Sequence, residues 1–284
     1  MVAAAGVLLG LAACGPDRRS PETPTIPMGS TEHAITVDGR DRTYRVYRPA
    51  SLPDGEPAPL VVMLHGGFGS ADQAERAYGW DAKADREGFV VAYPDGLGRA
   101  WAVGGGCCGR SGSTGVDDVA FVEAVVADVA GGVPIDPTRV YATGISNGGM
   151  LAYRIACEST VFAAIGPDSA TLLGSCDDPA PISVIHLHGT ADTRIRYDGG
   201  PGEGFANIDG PPVQDVIARW REVARCDPPT SSMDGTVTTS ASDCPGGVTV
   251  ELITIAGGGH EWPATATDTI WRFFAAHDLR RGRT

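Results

Sequence analysis

The stretch Gly144-Ile145-Ser146-Asn147-Gly148 holds a serine with a glycine two residues to either side. A serine hydroxyl attacks a carbonyl only when a neighbouring base takes its proton and a third group orients that base. G-x-S-x-G serves this chemistry by setting the serine on a sharp turn from strand to helix. The turn lifts the oxygen clear of the sheet, and a side chain at either glycine would clash. The helix N-terminus that follows favours the negative charge that develops near the nucleophile. Arg139 to Thr143 reads as a strand and Asn147 to Cys157 as a helix, which are the flanks the motif requires. Ser146 is the candidate nucleophile.

Its base must be a histidine further along, and the orienting acid should fall between the two. His186, His188, His260 and His277 follow Ser146. His186 and His188 sit in a strand and precede the acid candidate, so their order is wrong, and His277 closes the last helix. His260 follows the strand Val248 to Ile255 through Gly257-Gly258-Gly259, a loop able to hold a side chain over the active face. Asp192 follows the strand Ser183 to Leu187 in the loop Gly189-Thr190-Ala191-Asp192 and is the candidate acid. Asp198 and Asp209 are rivals further on, while Asp177 and Asp178 precede the strand. The oxyanion of acyl transfer needs two backbone N–H donors. Asn147 supplies one, and the loop His65-Gly66-Gly67-Phe68 the other, from Gly67 with Phe68 next in line. His65 reads as a hydrogen-bonding shaper of that loop.

These loops must hang on a scaffold. His33 to Val37 and Thr43 to Arg48 alternate as a hairpin with one wet face, with Asp38-Gly39 near the turn. Pro59 to Leu64 and Phe89 to Tyr93 are continuous apolar runs, as in strands buried on both faces. Phe162 to Gly166 is a further strand. Helical patterning spans Ala71 to Arg86, Asp117 to Val129, Pro212 to Arg225 and Asp268 to His277. Asp117 and Asp118 favour the positive end of theirs. Repeated β-α units after an antiparallel start predict an α/β protein: a mostly parallel central sheet with helices on both faces, in one domain over residues 31–279.

The 284 residues are 42% hydrophobic and carry a formal charge of −13, from 22 Lys+Arg against 35 Asp+Glu. That excludes wholesale disorder and opposes nucleic-acid binding. Residues 1–13 are apolar and small, too short to span a bilayer, and read as a signal peptide. Leu11-Ala12-Ala13-Cys14 resembles a bacterial lipobox, although no Lys or Arg precedes Cys14. The expectation is an exported lipoprotein, anchored to the membrane through lipidated Cys14 and a Pro/Ser/Thr-rich tether to residue 30, with a basic tail over 280–284. Six cysteines remain of the 7, an even count that suggests up to three disulfides in an exported protein. Cys226 and Cys244 bracket a polar excursion and are the expected pair. Cys107 and Cys108 are expected to reach back to Cys157 and Cys176 in an unassigned order. Zinc is the rival, but no CxxC pair exists and the spacings are irregular.

LHGG, VDDVAF, RVYATGISNGGMLAY, HLHGTAD and GGGHEWP fall in one order between about Pro59 and Pro263. Together they resemble the polyhydroxybutyrate depolymerase/feruloyl esterase group of secreted α/β-hydrolases. The resemblance implies an α/β-hydrolase fold, a serine esterase of the carboxylic ester hydrolase class, and Ser146, Asp192 and His260 as triad. Where that group often has Cys after His-Gly, this chain has Gly67, and a backbone donor survives the change. Trp262 and Trp101 match positions near the substrate cleft and, with Phe68, are the expected substrate contacts, packing in the core or rim being the alternative for the tryptophans. Members take hydroxyalkanoate polyesters, feruloylated or acetylated polysaccharides, or small esters. With no separate polyester-binding segment evident, soluble or wall-bound esters are favoured over solid polymer. No metal or cofactor is implied, and a monomer is expected. The alternatives are a cell-envelope acyltransferase with the same triad and an inactive binding lipoprotein.

Overall fold

Asp38 and Gly39 both take positive φ, 50° and 72°, the conformation of a two-residue hairpin turn whose twist matches its strands. They join β1 (Gly29–Val37) to β2 (Arg40–Arg48), paired antiparallel as the alternation predicts. This computed structural model describes residues 1–2, 25–53, 55–204 and 207–279. Cys14, nearly all of the expected signal peptide and the basic tail lie outside the described residues. Ile26 is already buried and its N–H donates to the Gly132 carbonyl at 3.1 Å, so the packed domain takes over from the expected tether before residue 30.

The apolar runs become β3 (Ala58–Leu64) and β4 (Val90–Pro94), every residue buried. β5 (Ile135–Ile145), β6 (Ala164–Asp168), β7 (Ser183–Gly189) and a strand at Val248–Ile255 continue the sheet. Two-residue β8 (Gly200–Pro201) and β9 (Asp209–Gly210) form a separate ladder, so the later strands are β10 (Thr230–Asp234), β11 (Val237–Cys244) and β12 (Val248–Ile255). The main sheet has ten strands in the order β1-β2-β4-β3-β5-β6-β7-β12-β11-β10. From β4 to β12 all neighbours are parallel, and antiparallel pairs close both edges.

Residues along β3 alternate between two cores. Leu60, Val62 and Leu64 join one, and Val61 and Met63 the other. The first is covered by α4 (Asp118–Gly132), α5 (Asn147–Glu158) and α6 (Val213–Val223); the second by α1 (Ala71–Ala77), α2 (Trp80–Glu87) and α7 (Ala266–Ala275). The helix predicted over Ala71 to Arg86 is thus two helices. The break falls at Gly79, φ 71°, a conformation that favours glycine and ends the first helix. A short α3 (Gly109–Thr114) also forms. Among the described residues no helix is long and apolar enough to cross a membrane.

All six described cysteines are bridged, which leaves no thiolate for zinc. Cys226–Cys244 pairs as predicted, but Cys107 bonds to Cys108 and Cys157 to Cys176. The expected reach of the 107–108 pair to the other two is overturned. Cys157, ending α5, has Cys176 with Cα 5.3 Å away, an ordinary disulfide separation, so it is already satisfied locally.

Candidate active site

β5 lies between β3 and β6 and ends immediately before Ser146, whose backbone stands at φ 56°, ψ −122°. Residues with side chains pay for this region, and surroundings must impose it. Here the Ser146 N–H donates to the Asp168 carbonyl at 2.9 Å and its carbonyl accepts the Met150 N–H at 2.9 Å. β3 crosses so closely that a Cβ on Gly144 would stand 2.6 Å from the Leu64 carbonyl oxygen. A cavity of about 560 Å³ opens at this turn, with Gly67, Phe68, Asn147, Met150 and His260 among its walls.

His260 and Asp192 arrive on loops from adjacent strands, β12 and β7, and the loops are laced together. The Ala191 N–H donates to the Gly258 carbonyl and the Gly257 N–H to Thr190 Oγ1, each at 2.9 Å. Gly189 approaches the Gly258 carbonyl so tightly that no side chain fits there. His260 Nδ1–H donates to Asp192 Oδ2 at 2.8 Å. Asp192 Oδ1 accepts the amides of Arg194 at 2.8 Å and Ile195 at 3.0 Å. Burial pushes the Asp192 carboxyl up, but hydrogen bonds from His188, His260 and the Ile195 amide outweigh it and hold the group well below the usual carboxylate range. The ionised carboxylate fixes the proton on Nδ1 and leaves the Nε2 lone pair for a base. No hydrogen bond joins Ser146 to His260 among the described residues. Both line the same cavity, and contacts of this kind tighten when substrate is seated.

Asn147 does more than follow the serine. Its Oδ1 accepts the Trp101 N–H at 2.7 Å and its Nδ2 donates to the Trp101 carbonyl at 3.2 Å, which leaves its own N–H, at the first helical position, without an intrahelical acceptor. The Phe68 amide already donates to the Arg99 carbonyl at 2.8 Å, so Gly67 rather than Phe68 is the available donor in that loop. His65 shapes it. Nε2 accepts the Gly96 N–H at 2.9 Å and Nδ1–H donates to the Gly66 carbonyl at 2.8 Å, while burial lowers the ring's pKa.

The expected substrate contacts separate. Phe68 lines the cavity and is exposed. Trp101 is fully buried behind the wall, its Nε1–H donating to the His65 carbonyl at 2.8 Å, so its place is under the His65–Phe68 loop and not on the cavity surface. Trp262 packs on Tyr78 at 5.0 Å, and it is Tyr78 that lines the cavity. The rival acids Asp177, Asp178, Asp198 and Asp209 are exposed. His277 packs on Phe273 at the end of α7, its Nδ1–H donating to the Phe273 carbonyl at 2.7 Å. Sequence reasoning missed two features. Asp168, ending β6 beside Ser146, is buried with neither carboxyl oxygen hydrogen-bonded among the described residues. Burial, then the charge of Asp192, raises it well above the ordinary carboxyl range. The Cys107–Cys108 disulfide forms part of the cavity wall. A strand-end acid and a Cys-Cys pair were visible as residues, but only the fold brings either to the Ser146 turn.

A sequence profile described as Esterase PHB depolymerase matches residues 42–192. The putative esterase NocK of Nocardia uniformis subsp. tsuyamanensis is 33% identical over 272 residues, covering 84% of this chain and 76% of its own. Feruloyl esterase B of Piromyces equi is 31% identical over 229 residues, 75% of this chain but only 41% of that longer protein. In structure, the acetyl xylan esterase from Aspergillus awamori superposes with a TM-score of 0.66 at 16% identity, over 87% of this chain and 99% of that one, a likeness of fold. The strained serine turn and the sheet that carries it are accordingly those of an α/β-hydrolase, and the chain belongs to the esterase PHB depolymerase family of carboxylic ester hydrolases.

Proposed function

We propose that Ser146, His260 and Asp192 are the triad of a serine esterase working through an acyl-enzyme. The observation that carries this is the 2.8 Å bond from His260 Nδ1–H to an ionised Asp192, with Ser146 and His260 on one cavity. His260 takes the hydroxyl proton through Nε2 as Ser146 Oγ bonds the ester carbonyl carbon. The amides of Gly67 and Asn147 hold the oxyanion. His260 then gives that proton to the departing alcohol, and water, deprotonated by the same nitrogen, releases the acid and restores Ser146.

For substrate, we propose feruloyl or acetyl esters of polysaccharide hydroxyls, as the names of the related enzymes suggest. The cavity has the size of a small-ligand site, and Phe68, Tyr78, Met150 and Ile195 give it apolar walls suited to an acyl group. Three disulfides suit an oxidising compartment and support export. The lipid on Cys14 rests on the lipobox-like sequence alone, and metabolic labelling of a Cys14→Ala chain with a radioactive fatty acid tests it. The functional test is hydrolysis of methyl ferulate, acetylated xylan, hydroxybutyrate oligomers and p-nitrophenyl esters. Ser146→Ala should lose about 10⁴-fold or more in kcat on every active substrate while remaining folded. A folded Ser146→Ala protein with parental turnover overturns the triad.

A further inference from the structure

Behind Asp192 the core contains a file of polar rings that acyl transfer, as derived above, does not use. His186 and His188 stand two apart on β7, so both point to the same face, and each is fully buried. Their rings are stacked at 5.2 Å and 2°. Tyr153, also fully buried, comes from α5, the helix that begins immediately after Ser146. Tyr153 Oη lies 2.6 Å from His186 Nδ1, His186 Nε2 lies 2.9 Å from His188 Nδ1, and His188 Nε2 lies 2.8 Å from the Ile195 carbonyl oxygen. The same His188 nitrogen is 3.4 Å from Asp192 Oδ2.

The direction of every proton follows from the far end. A carbonyl oxygen only accepts, so His188 Nε2 must carry hydrogen, and a neutral ring then has a bare Nδ1. That Nδ1 must accept from His186 Nε2–H, which leaves His186 Nδ1 bare to accept the Tyr153 hydroxyl. All three groups are satisfied in one sense only. Apolar side chains would fill this space without the need to satisfy four ring nitrogens and a hydroxyl away from water.

From this chain we infer that His188, His186 and Tyr153 are positioning residues for Asp192, tying the nucleophile's helix to the turn that carries the acid. The link acts at two atoms. His188 Nε2–H holds the Ile195 carbonyl, and the amide of that same residue holds Asp192 Oδ1. The proton on His188 also faces Oδ2, the oxygen that receives His260. Reversal of the chain would aim a bare nitrogen at a carbonyl and a carboxylate, and both contacts would turn repulsive. Burial and the neighbouring His188 hold His186 well below the ordinary histidine range, and burial holds the Tyr153 hydroxyl well above the ordinary tyrosine range, so both stay neutral as the chain requires. Other groups packed on the file are Trp220, stacked on Tyr153 at 6.2 Å, and Tyr197, edge-on to His188 at 5.8 Å. Asp192 is the charged group in contact with it.

The inference rests on the triad reading, and the experiment separates the two. Nitrogen-15 NMR of the unsubstituted protein, histidine-labelled, should find Nε2–H and a bare Nδ1 on both His186 and His188, with His186 not titrating between about pH 5 and 9, although an unperturbed histidine titrates near 6.5. An Nδ1–H on either ring, or a titrating His186, overturns the chain. On the ester that the panel selects, His188→Leu should lower kcat by about tenfold or more with KM within about twofold, as loss of a partner one shell out commonly does. His188→Gln, which offers one donor and one acceptor, should recover most of that loss, and Tyr153→Phe should give a smaller fall. A folded His188→Leu protein with parental kcat, or a Gln variant no better than Leu, overturns the inference. If Asp192→Ala also keeps parental turnover, the triad itself falls. If Asp192→Ala is dead while His188→Leu is unaffected, the positioning role alone is lost.

Discussion

Ser146 and Asp168 meet at one hydrogen bond, backbone to backbone, yet their side chains live under opposite rules. Burial holds the folded Asp168 carboxyl well above the ordinary range, whereas its unfolded counterpart ionises near pH 4. Its contribution to stability is therefore complete below that pH and is lost as the pH rises. Asn cannot ionise in either state, so the Tm of Asp168→Asn relative to the parent should climb between pH 4 and 7; a difference that stays flat or falls contradicts a neutral Asp168. Asp192 has the reverse sign: depressed in the fold, it contributes fully above about pH 4 and loses that contribution as the solution is acidified. At this scale the sequence was legible where chain order brings residues together, for His260 meets Asp192 and shares a cavity with Ser146. Ser146, Asp192 and His260 follow the strand ends in the order the chemistry requires. His186 and His188 precede the candidate acid and lie in the core, but their partner Tyr153 lies on another element, and no local pattern announces a ring chain in a core.

A buried ion pair ties β2 to α4. Arg42 on β2 meets Asp118 at 2.7 Å, both side chains nearly inaccessible, and the Arg42 guanidinium lies 3.8 Å over the Phe121 ring. Asp118 Oδ2 also accepts the Ala102 N–H at 2.7 Å, next to the Trp101 that Asn147 clasps. The sequence placed Asp117 and Asp118 together at a helix start. Asp117 does cap it, its side chain accepting from the Ala120 N–H, but Asp118 anchors the loop that Asn147 clasps at Trp101. Removing one partner of such a pair leaves a buried charge, so Asp118→Ala should lower the unfolding free energy by about 3–5 kcal/mol in urea titration. A loss under about 1 kcal/mol, ordinary for a surface ion pair, contradicts this account. The hairpin β10–β11 went unread because β10 is exposed throughout, leaving no buried face to print an alternation on the sequence.

Across the whole molecule, the parallel centre was legible because strands covered on both faces become unbroken apolar runs. The antiparallel outer strands at Thr230–Asp234 and Val237–Cys244 were not. Of the three disulfides only Cys226–Cys244, which brackets a polar excursion, was legible. Cys157–Cys176 and Cys226–Cys244 close loops with sequence separations of 19 and 18, whereas Cys107–Cys108 has a separation of 1. A closed loop of that larger size restricts the unfolded chain by about 3 kcal/mol, and a loop with nothing inside it restricts almost nothing. Cys226→Ala with Cys244→Ala should lower stability by about that amount in guanidinium melts. Cys107→Ala with Cys108→Ala should leave the melt near parental while altering relative rates across the ester panel. A parental panel for that double variant removes the wall disulfide from any part in recognition. Adjacent cysteines on the cavity wall can therefore bear on which esters enter without bearing on how firmly the domain holds together.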